Sequence, residues 1–470
     1  MVRGVVVRGS LVVVALGVGG LLFAQAGVTY VSFADAKPIL EVIQPQLWPA
    51  ALQGKSPAAV EALWSDWVKR EDMAIRARVL EGDDDSVINF LLFGTSFTTQ
   101  PRVTENELAG VLVRQRETGA TRFVPSPLLE KRIDDFIAGL VSPGGNARLE
   151  LARQVIARQS INPSTDAGKA QLRRYLEDRA AVVGSAVHAS TLLDPNAPLV
   201  DQVTIFRDRG LSSDTSIAID FGIEQTLAAI KADGAMAAGS IRRVAIVGPG
   251  LDFTDKQEGH DFYPPQTIQP FAVIDSLTRL GLAAAGGVQV TAFDLSPRVL
   301  GHFESARARA RQGTAYTLVL PRELDRPWSR ELTGYWQRFG DRIGQAATMA
   351  TPPPTAGRVA VRGVAVRPSV VLSVTPRDLN FVVQRADLAA ADRFDLMLAT
   401  NILLYYDVFE QSLAMANIAK MLRPGGLFLT NDRVFELPSS PLRSAGMTDV
   451  VYLEQPGASA KGDRITWYRR

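Results

Sequence analysis

Val244-Ala245-Ile246-Val247-Gly248-Pro249-Gly250-Leu251-Asp252 is the stretch that decides the fold. Four apolar residues run straight into a glycine-bounded turn. A short β-rich run without polar alternation is the pattern of a strand buried on both faces, as in the middle of a parallel sheet. Gly248 and Gly250 have no Cβ, so the backbone can bend sharply and approach a ligand closely. A second strand pattern, Val288-Gln289-Val290-Thr291-Ala292-Phe293-Asp294, ends on a carboxylate. A glycine turn after one strand and an acid after the next suit a nucleotide-like ligand: the turn meets its centre and the acid takes the ribose hydroxyls.

Outward from this pair, residues 217–230 and 267–280 have helical patterns, and Ser296-Pro297 opens another helix. Alternation of strand and helix marks a doubly wound sheet. Residues 315–320 read as a strand, 328–343 as a helix, and 359–374 as an Arg-rich strand-like stretch after a proline linker, so 315–377 has the character of an insertion. Strand patterns resume at 394–400 and 427–430, separated by a helix over 408–422, and 450–453 with 464–468 form a closing hairpin. The expected fold is α/β: a doubly wound, mostly parallel, seven-stranded Rossmann-like sheet over residues 201–470, preceded by a mainly helical domain over 31–200.

Composition narrows the classes. Of 470 residues, 46% are hydrophobic and 21% charged, which suits a globular chain with ample core. The net charge of +2, without a basic block, gives no footprint for nucleic acid. The absence of Cys excludes disulfides, thiolate zinc sites and thiol catalysis. His188, His260 and His302 lack metal-ligand spacing, so no metal site is expected.

The first thirty residues point elsewhere. Arg3 and Arg8 precede an apolar run over 11–23, then Ala24-Gln25-Ala26, and the next charge is Asp35. This is the layout of a signal peptide, or of an uncleaved anchor meeting the membrane through residues 11–32. The expected location is therefore the cell envelope, anchored or exported. Downstream, Ser56-Pro57 starts a helix, and Val60, Leu63, Trp64, Trp67 and Val68 follow at helical spacing, the Trp pair as packing. Asp83-Asp84-Asp85 lacks the further oxygens of a calcium loop, and Asp85-Ser86 reads as the cap of a separate apolar segment over 87–93. Pro195 and Pro198 mark a linker.

The ordered set of Gly248-Pro249-Gly250, Asp294, Ala386-Asp387, Phe394-Asp395-Leu396 and Leu422-Arg423-Pro424-Gly425-Gly426 resembles the class I S-adenosylmethionine-dependent methyltransferases. Phe293-Asp294-Leu295-Ser296 and Asn401-Ile402-Leu403-Leu404-Tyr405-Tyr406-Asp407 look most like the CheR-type members. The resemblance implies S-adenosylmethionine as cofactor. Gly248 and Gly250 would lie against its methionine part, and Asp294 beside Leu295 would take the ribose diol. Ala386 and Asp387 would sit at the adenine, with Asn401 and Leu403 bordering the transferred methyl. The chain departs from the family at Ile246, where an acid is usual, and at Asp252, where a third glycine is usual. Asp252 would then face the cofactor's ammonium.

The methyl acceptor, a small molecule or a protein, is not specified. Candidate bases are His260, Asp261 and Asp432, with Tyr405 and Tyr406 as walls. The competing readings are a non-catalytic Rossmann-type binding or scaffold protein at the cell envelope, and a nicotinamide-dependent oxidoreductase.

Overall fold

The computed structural model describes residues 27–104, 107, 110, 123–192, 210–211, 215–251, 260–454 and 461–470. The apolar run over 11–23, the linker at Pro195 and Pro198, and Asp252 lie outside the described residues. Strand β1 (Val28–Tyr30) is followed by helices α1 (Phe33–Val42) and α2 (Pro57–Phe93). Residues 28–31 belong to the folded body, since the Val31 N–H bonds the Val383 carbonyl at 2.9 Å. Among the described residues no helix is long and apolar enough to cross a membrane.

Helix α2 starts as expected: Ser56 accepts from the Ala59 N–H, with Pro57 at the first position. It then runs unbroken for 37 residues, about 55 Å at 1.5 Å per residue. The cap expected at Asp85 does not form. Instead the Asp85 carboxylate accepts from Asn89 Nδ2 at 3.0 Å, one turn on, inside the continuous helix. Among the described residues, helices α3 (Pro127–Val141), α4 (Ala147–Arg158) and α5 (Asp166–Leu192) pack beside it in a helical layer.

Helix α2 serves two cores. Val60, Trp64, Trp67, Val68 and Ile75 pack on one face of the large sheet. Val87 to Phe93 instead pack with Phe136, Leu149 and Leu172 of α3, α4 and α5. Arg132 of α3 is fully buried and closes the end of α2, donating to the carbonyls of Leu91, Gly94, Gln100 and Pro101 at 2.6–3.0 Å. Leu91 and Gly94 carry carbonyls that the helix C-terminus leaves without partners, while Gln100 and Pro101 belong to the loop that follows.

After α6 (Ile217–Ala232), the elements are β2 (Arg243–Val247), α7 (Gln269–Arg279), β3 (Gln289–Asp294), α8 (Pro297–Arg311), β4 (Tyr316–Glu323), α9 (Arg330–Arg338), β5 (Gly344–Ala347) and β6 (Val359–Val366). Then come α10 (Pro368–Leu372), β7 (Val374–Asp378), β8 (Gln384–Ala386), β9 (Phe394–Ala399), α11 (Val408–Met421), β10 (Leu422–Thr430), β11 (Arg443–Leu453) and β12 (Lys461–Arg469). The large sheet has seven strands in the order β11-β12-β10-β9-β2-β3-β7. Strands β10, β9, β2, β3 and β7 are parallel, and the C-terminal hairpin is antiparallel. Both faces are buried, with Val244, Ile246 and Val290 in one core and Ala245, Val247 and Phe293 in the other. That two-residue period is what a covered parallel sheet requires.

The region expected as an insertion resolves differently. Strands β4, β6 and β5 form a separate antiparallel sheet. Pro368 ends the Arg-rich stretch and begins α10, and β7 then joins the large sheet, Val290 against Val374 through Asp294 against Asp378. Strand β8 pairs only with β1, as a two-stranded sheet.

Candidate functional site

The glycine turn leaves the C-terminal end of β2 with Gly248 at φ 63° and Gly250 at φ 75°. Both values lie in the left-handed region that favours glycine. The Gly248 N–H bonds the Phe293 carbonyl at 2.9 Å, which ties the turn to the end of β3. A Cβ on Gly248 would stand 2.4 Å from Ile402 Cδ1, so both conformation and space require glycine here.

Asp294 ends β3, and its Oδ1 accepts from the Ser296 N–H at 2.8 Å. Burial is the main cause that lifts its carboxyl from the usual 3.8 to about 6; the Ser296 and Leu295 N–H groups and Arg298 oppose this, and Asp378 adds to it. Ser296 was expected to cap α8, but its side chain makes no capping bond.

These pieces share one crevice. Gly248, Gly250, Asp294 and Leu295 line the floor, Ile402, Tyr405 and Tyr406 one side, and Leu379 and Phe381 the other. The crevice lies outside the carboxyl ends of parallel strands, where strand order reverses between β9 and β2. Ligands bind at such switch points in open α/β sheets.

The loop after β9 turns through the left-handed region at Asn401, φ 57°, a conformation that asparagine adopts more readily than other non-glycine residues. Asn431 fixes it, accepting from the Asn401 N–H at 2.8 Å and donating to Asn401 Oδ1 at 2.7 Å. Asp432 Oδ2 accepts from the N–H groups of Ile402 and Leu403 at 3.1 and 2.8 Å. Burial pushes this carboxyl to about 6 against those bonds. Asp432 therefore shapes the loop; Leu403 is fully buried and Asn401 exposed, and neither of these two expected cofactor neighbours lines the crevice.

Other sequence candidates lie elsewhere. The Ala386 N–H meets the sulfur of Met421 at 3.4 Å inside the core, and Asp387 is exposed. Neither lines the crevice, because β8 stands outside the large sheet and β7 takes the place beside β3. Leu379 and Phe381, which follow β7, line the crevice instead. His260 and Asp261 are buried against the helical layer. Asp261 accepts from the Thr95 N–H, the Thr95 hydroxyl and the Ser96 N–H at 2.6–2.8 Å, bonds that lower its carboxyl against burial. His260 Nδ1 lies 2.8 Å from Arg102, and burial first, then Arg102, depress it to about 3. This pair is a clasp between layers, and neither member lines the crevice. Among the described residues no acidic or histidine cluster could hold a metal.

A further wall is contributed by α2, which supplies Val79 and Asp83, joined by Leu211. The Leu211 N–H bonds the Arg78 carbonyl at 3.0 Å, and the segment crosses α2 at Gly82, where a Cβ would fall 1.8 Å from the Leu211 carbonyl oxygen. The glycine preceding three aspartates was the available signal. Arg78 also binds the Tyr405 carbonyl and stacks over the Tyr406 ring at 5.4 Å.

No family model matches the chain, and no curated protein does. Among solved structures it is similar to the glycopeptide N-methyltransferase MtfA complexed with (S)-adenosyl-L-methionine, at 11% identity and TM-score 0.22 over 53% of this chain and 77% of that one. It is also similar to the CcbJ methyltransferase from Streptomyces caelestis, at 14% identity and TM-score 0.20 over 53% and 78%. The mitomycin 7-O-methyltransferase MmcR gives 12% identity and TM-score 0.24 over 88% and 100%. At such TM-scores these likenesses decide neither fold nor function, which rest on the residues and distances above.

Proposed function

We propose that the chain is an S-adenosylmethionine-dependent methyltransferase with a doubly wound class I sheet, acting on an acceptor that is a small molecule or a protein. One observation carries the reading: the Gly248–Gly250 turn and the Asp294 carboxylate face a single crevice at the switch point of a parallel sheet. The residues fit an adenosyl ligand. Asp294 offers acceptor-only oxygens suited to a diol, and Leu295, Leu379 and Phe381 offer apolar surface for a base. Pro249 removes an N–H that a pyrophosphate would use, which weighs against the nicotinamide reading.

Bound there, the cofactor would supply an electrophilic methyl on sulfur. The chain supplies position and dryness. Ile402, Tyr405 and Tyr406 wall the crevice, and Asp432 fixes their loop through two amide bonds. Orientation of this kind accounts for most of the acceleration in a simple displacement. Among the described lining residues the groups able to take up a proton are the carboxylates of Asp83 and Asp294, beside the Tyr405 and Tyr406 hydroxyls. The CheR-type likeness rests on residues 293–296 and 401–407 and is not extended to an acceptor.

Titration of the full-length chain with S-adenosylmethionine tests the reading. Binding that is lost in Asp294→Asn supports it; no binding at millimolar ligand, or unchanged binding in the variant, sinks it. The scaffold reading draws on the apolar run over 11–23, which would carry the body away from cytoplasmic cofactor. A C-terminal alkaline phosphatase fusion separates the two, because activity places the body outside the cytoplasm.

A further inference from the structure

Two carboxylates line the crevice among the described residues: Asp294 from the sheet and Asp83 from α2. Asp83 is 8% exposed and is held from both layers. Arg158 of α4 donates to its Oδ2 at 2.8 Å. Arg298 of α8 stands 3.8 Å from Oδ1, an ion pair too long for a hydrogen bond. Oδ1 therefore keeps acceptor capacity, on a residue that lines the crevice. The helix beneath cannot drift, since Leu211 crosses it at Gly82 and lines the same crevice.

On the methyltransferase reading, on which this step rests, Asp294 takes both ribose hydroxyls. The N–H donors left on the ligand are the exocyclic amine of adenine and the ammonium of the amino-acid tail. We infer that Asp83 is a ligand-binding residue supplied by the helical layer, accepting an N–H hydrogen bond from the adenosyl ligand. Occupancy of the crevice then draws on both layers, and a nucleoside derivative lacking that donor is discriminated against. Charge-assisted hydrogen bonds of this kind change affinity by roughly ten- to a hundredfold.

The test titrates the full-length chain with three probes. S-adenosylhomocysteine carries both donors, S-inosylhomocysteine lacks the exocyclic amine, and methylthioadenosine lacks the amino-acid tail. Asp83→Asn keeps the shape and removes the charge, while Arg158→Gln breaks the ion pair and leaves the carboxylate; melting curves confirm that both fold. The expected result is S-adenosylhomocysteine bound at least tenfold more weakly by Asp83→Asn, with the penalty gone for one reduced probe. Loss of the penalty with the inosyl probe identifies the base amine as donor, and loss with methylthioadenosine identifies the ammonium. An equal penalty on all three probes, no penalty at all, or the same profile in Arg158→Gln reduces Asp83 to a structural bolt and overturns the inference. A folded wild type that binds none of the three overturns the methyltransferase reading as well, so the two failures are told apart.

Discussion

Replacing Asp294 by Asn sets binding against stability. The carboxyl titrates near 6 in the folded chain against an ordinary 3.8. Between those values the folded chain holds a proton that the unfolded chain has released. The group's contribution to stability is full below about 3.8 and is lost as pH rises through 6. A shift of this size corresponds to about 3 kcal/mol, and water in the crevice reduces that by roughly half. Asn keeps the oxygen that accepts from Ser296 and carries no charge. Asp294→Asn is therefore expected to stabilise the ligand-free protein by roughly 1–2 kcal/mol at pH 7.5, a few degrees in Tm, and by nothing at pH 4. Ligand binding should move the other way. The diol needs the ionised form, which falls to about one tenth at pH 5, so wild-type affinity for S-adenosylhomocysteine drops roughly tenfold from pH 7.5 to 5. Asp432, also near 6, adds its own loss as its grip on the Ile402 and Leu403 amides weakens. Subtracting the profile of any residual binding by Asp294→Asn isolates the share of Asp294. Scanning calorimetry and titration at the three pH values check both halves. A variant that melts below wild type at pH 7.5, or wild-type binding flat from pH 7.5 to 5, refutes the reasoning.

Gly248→Ala combines positive φ with a 2.4 Å approach to Ile402 Cδ1, so it should cost about 1–3 kcal/mol and abolish binding; chemical denaturation beside titration reads both. Gly82→Ala would gain about 1 kcal/mol from helix propensity alone, yet its Cβ would fall 1.8 Å from the Leu211 carbonyl. The net effect should be destabilising, and a rise in Tm would show that the 210–211 segment does not cross there. Asp261→Ala leaves two N–H groups and a hydroxyl without their buried acceptor and should cost roughly 3 kcal/mol. Its lowered carboxyl stabilises the clasp at neutral pH and loses that effect below about pH 3.8, so the melting difference between wild type and variant should shrink in acid.

The strands that form the crevice floor were legible because a covered parallel strand needs an unbroken apolar run. Val244-Ala245-Ile246-Val247 supplies it, and the stretch ending at Asp294, interrupted by Gln289 and Thr291, was readable from its remaining apolar residues and its terminal acid. Strand β7 was not legible, because Val374-Thr375-Pro376-Arg377-Asp378 carries a proline and an arginine. The structure shows why both are tolerated: β7 is the last strand of the large sheet, and proline is acceptable where one ladder has no neighbour. The adenine contacts that the resemblance implied, Ala386 and Asp387, lie on and after β8, whereas Asp378 stands opposite Asp294 at the end of β7 and Leu379 after it lines the crevice.

The fourth wall poses a different problem. Helix α2 turns one set of apolar residues to the sheet near Trp64 and another to the helical core near Phe90, so no single stripe runs its length. Its middle, from Arg76 to Asp83, serves the boundary between the two. Arg76 pairs with Asp378 at 2.8 Å, Val79 and Asp83 meet the crevice, and Arg78 reaches the Tyr405 carbonyl. A strand end announces a site because backbone geometry sends every parallel strand's carboxyl end to the same edge. A helix carries no such rule, and what it covers depends on which sheet lies beneath it. Asp294 could therefore be assigned from a pattern of residues, whereas Asp83, one of three consecutive aspartates, acquires its meaning only from the two arginines and the cavity around it.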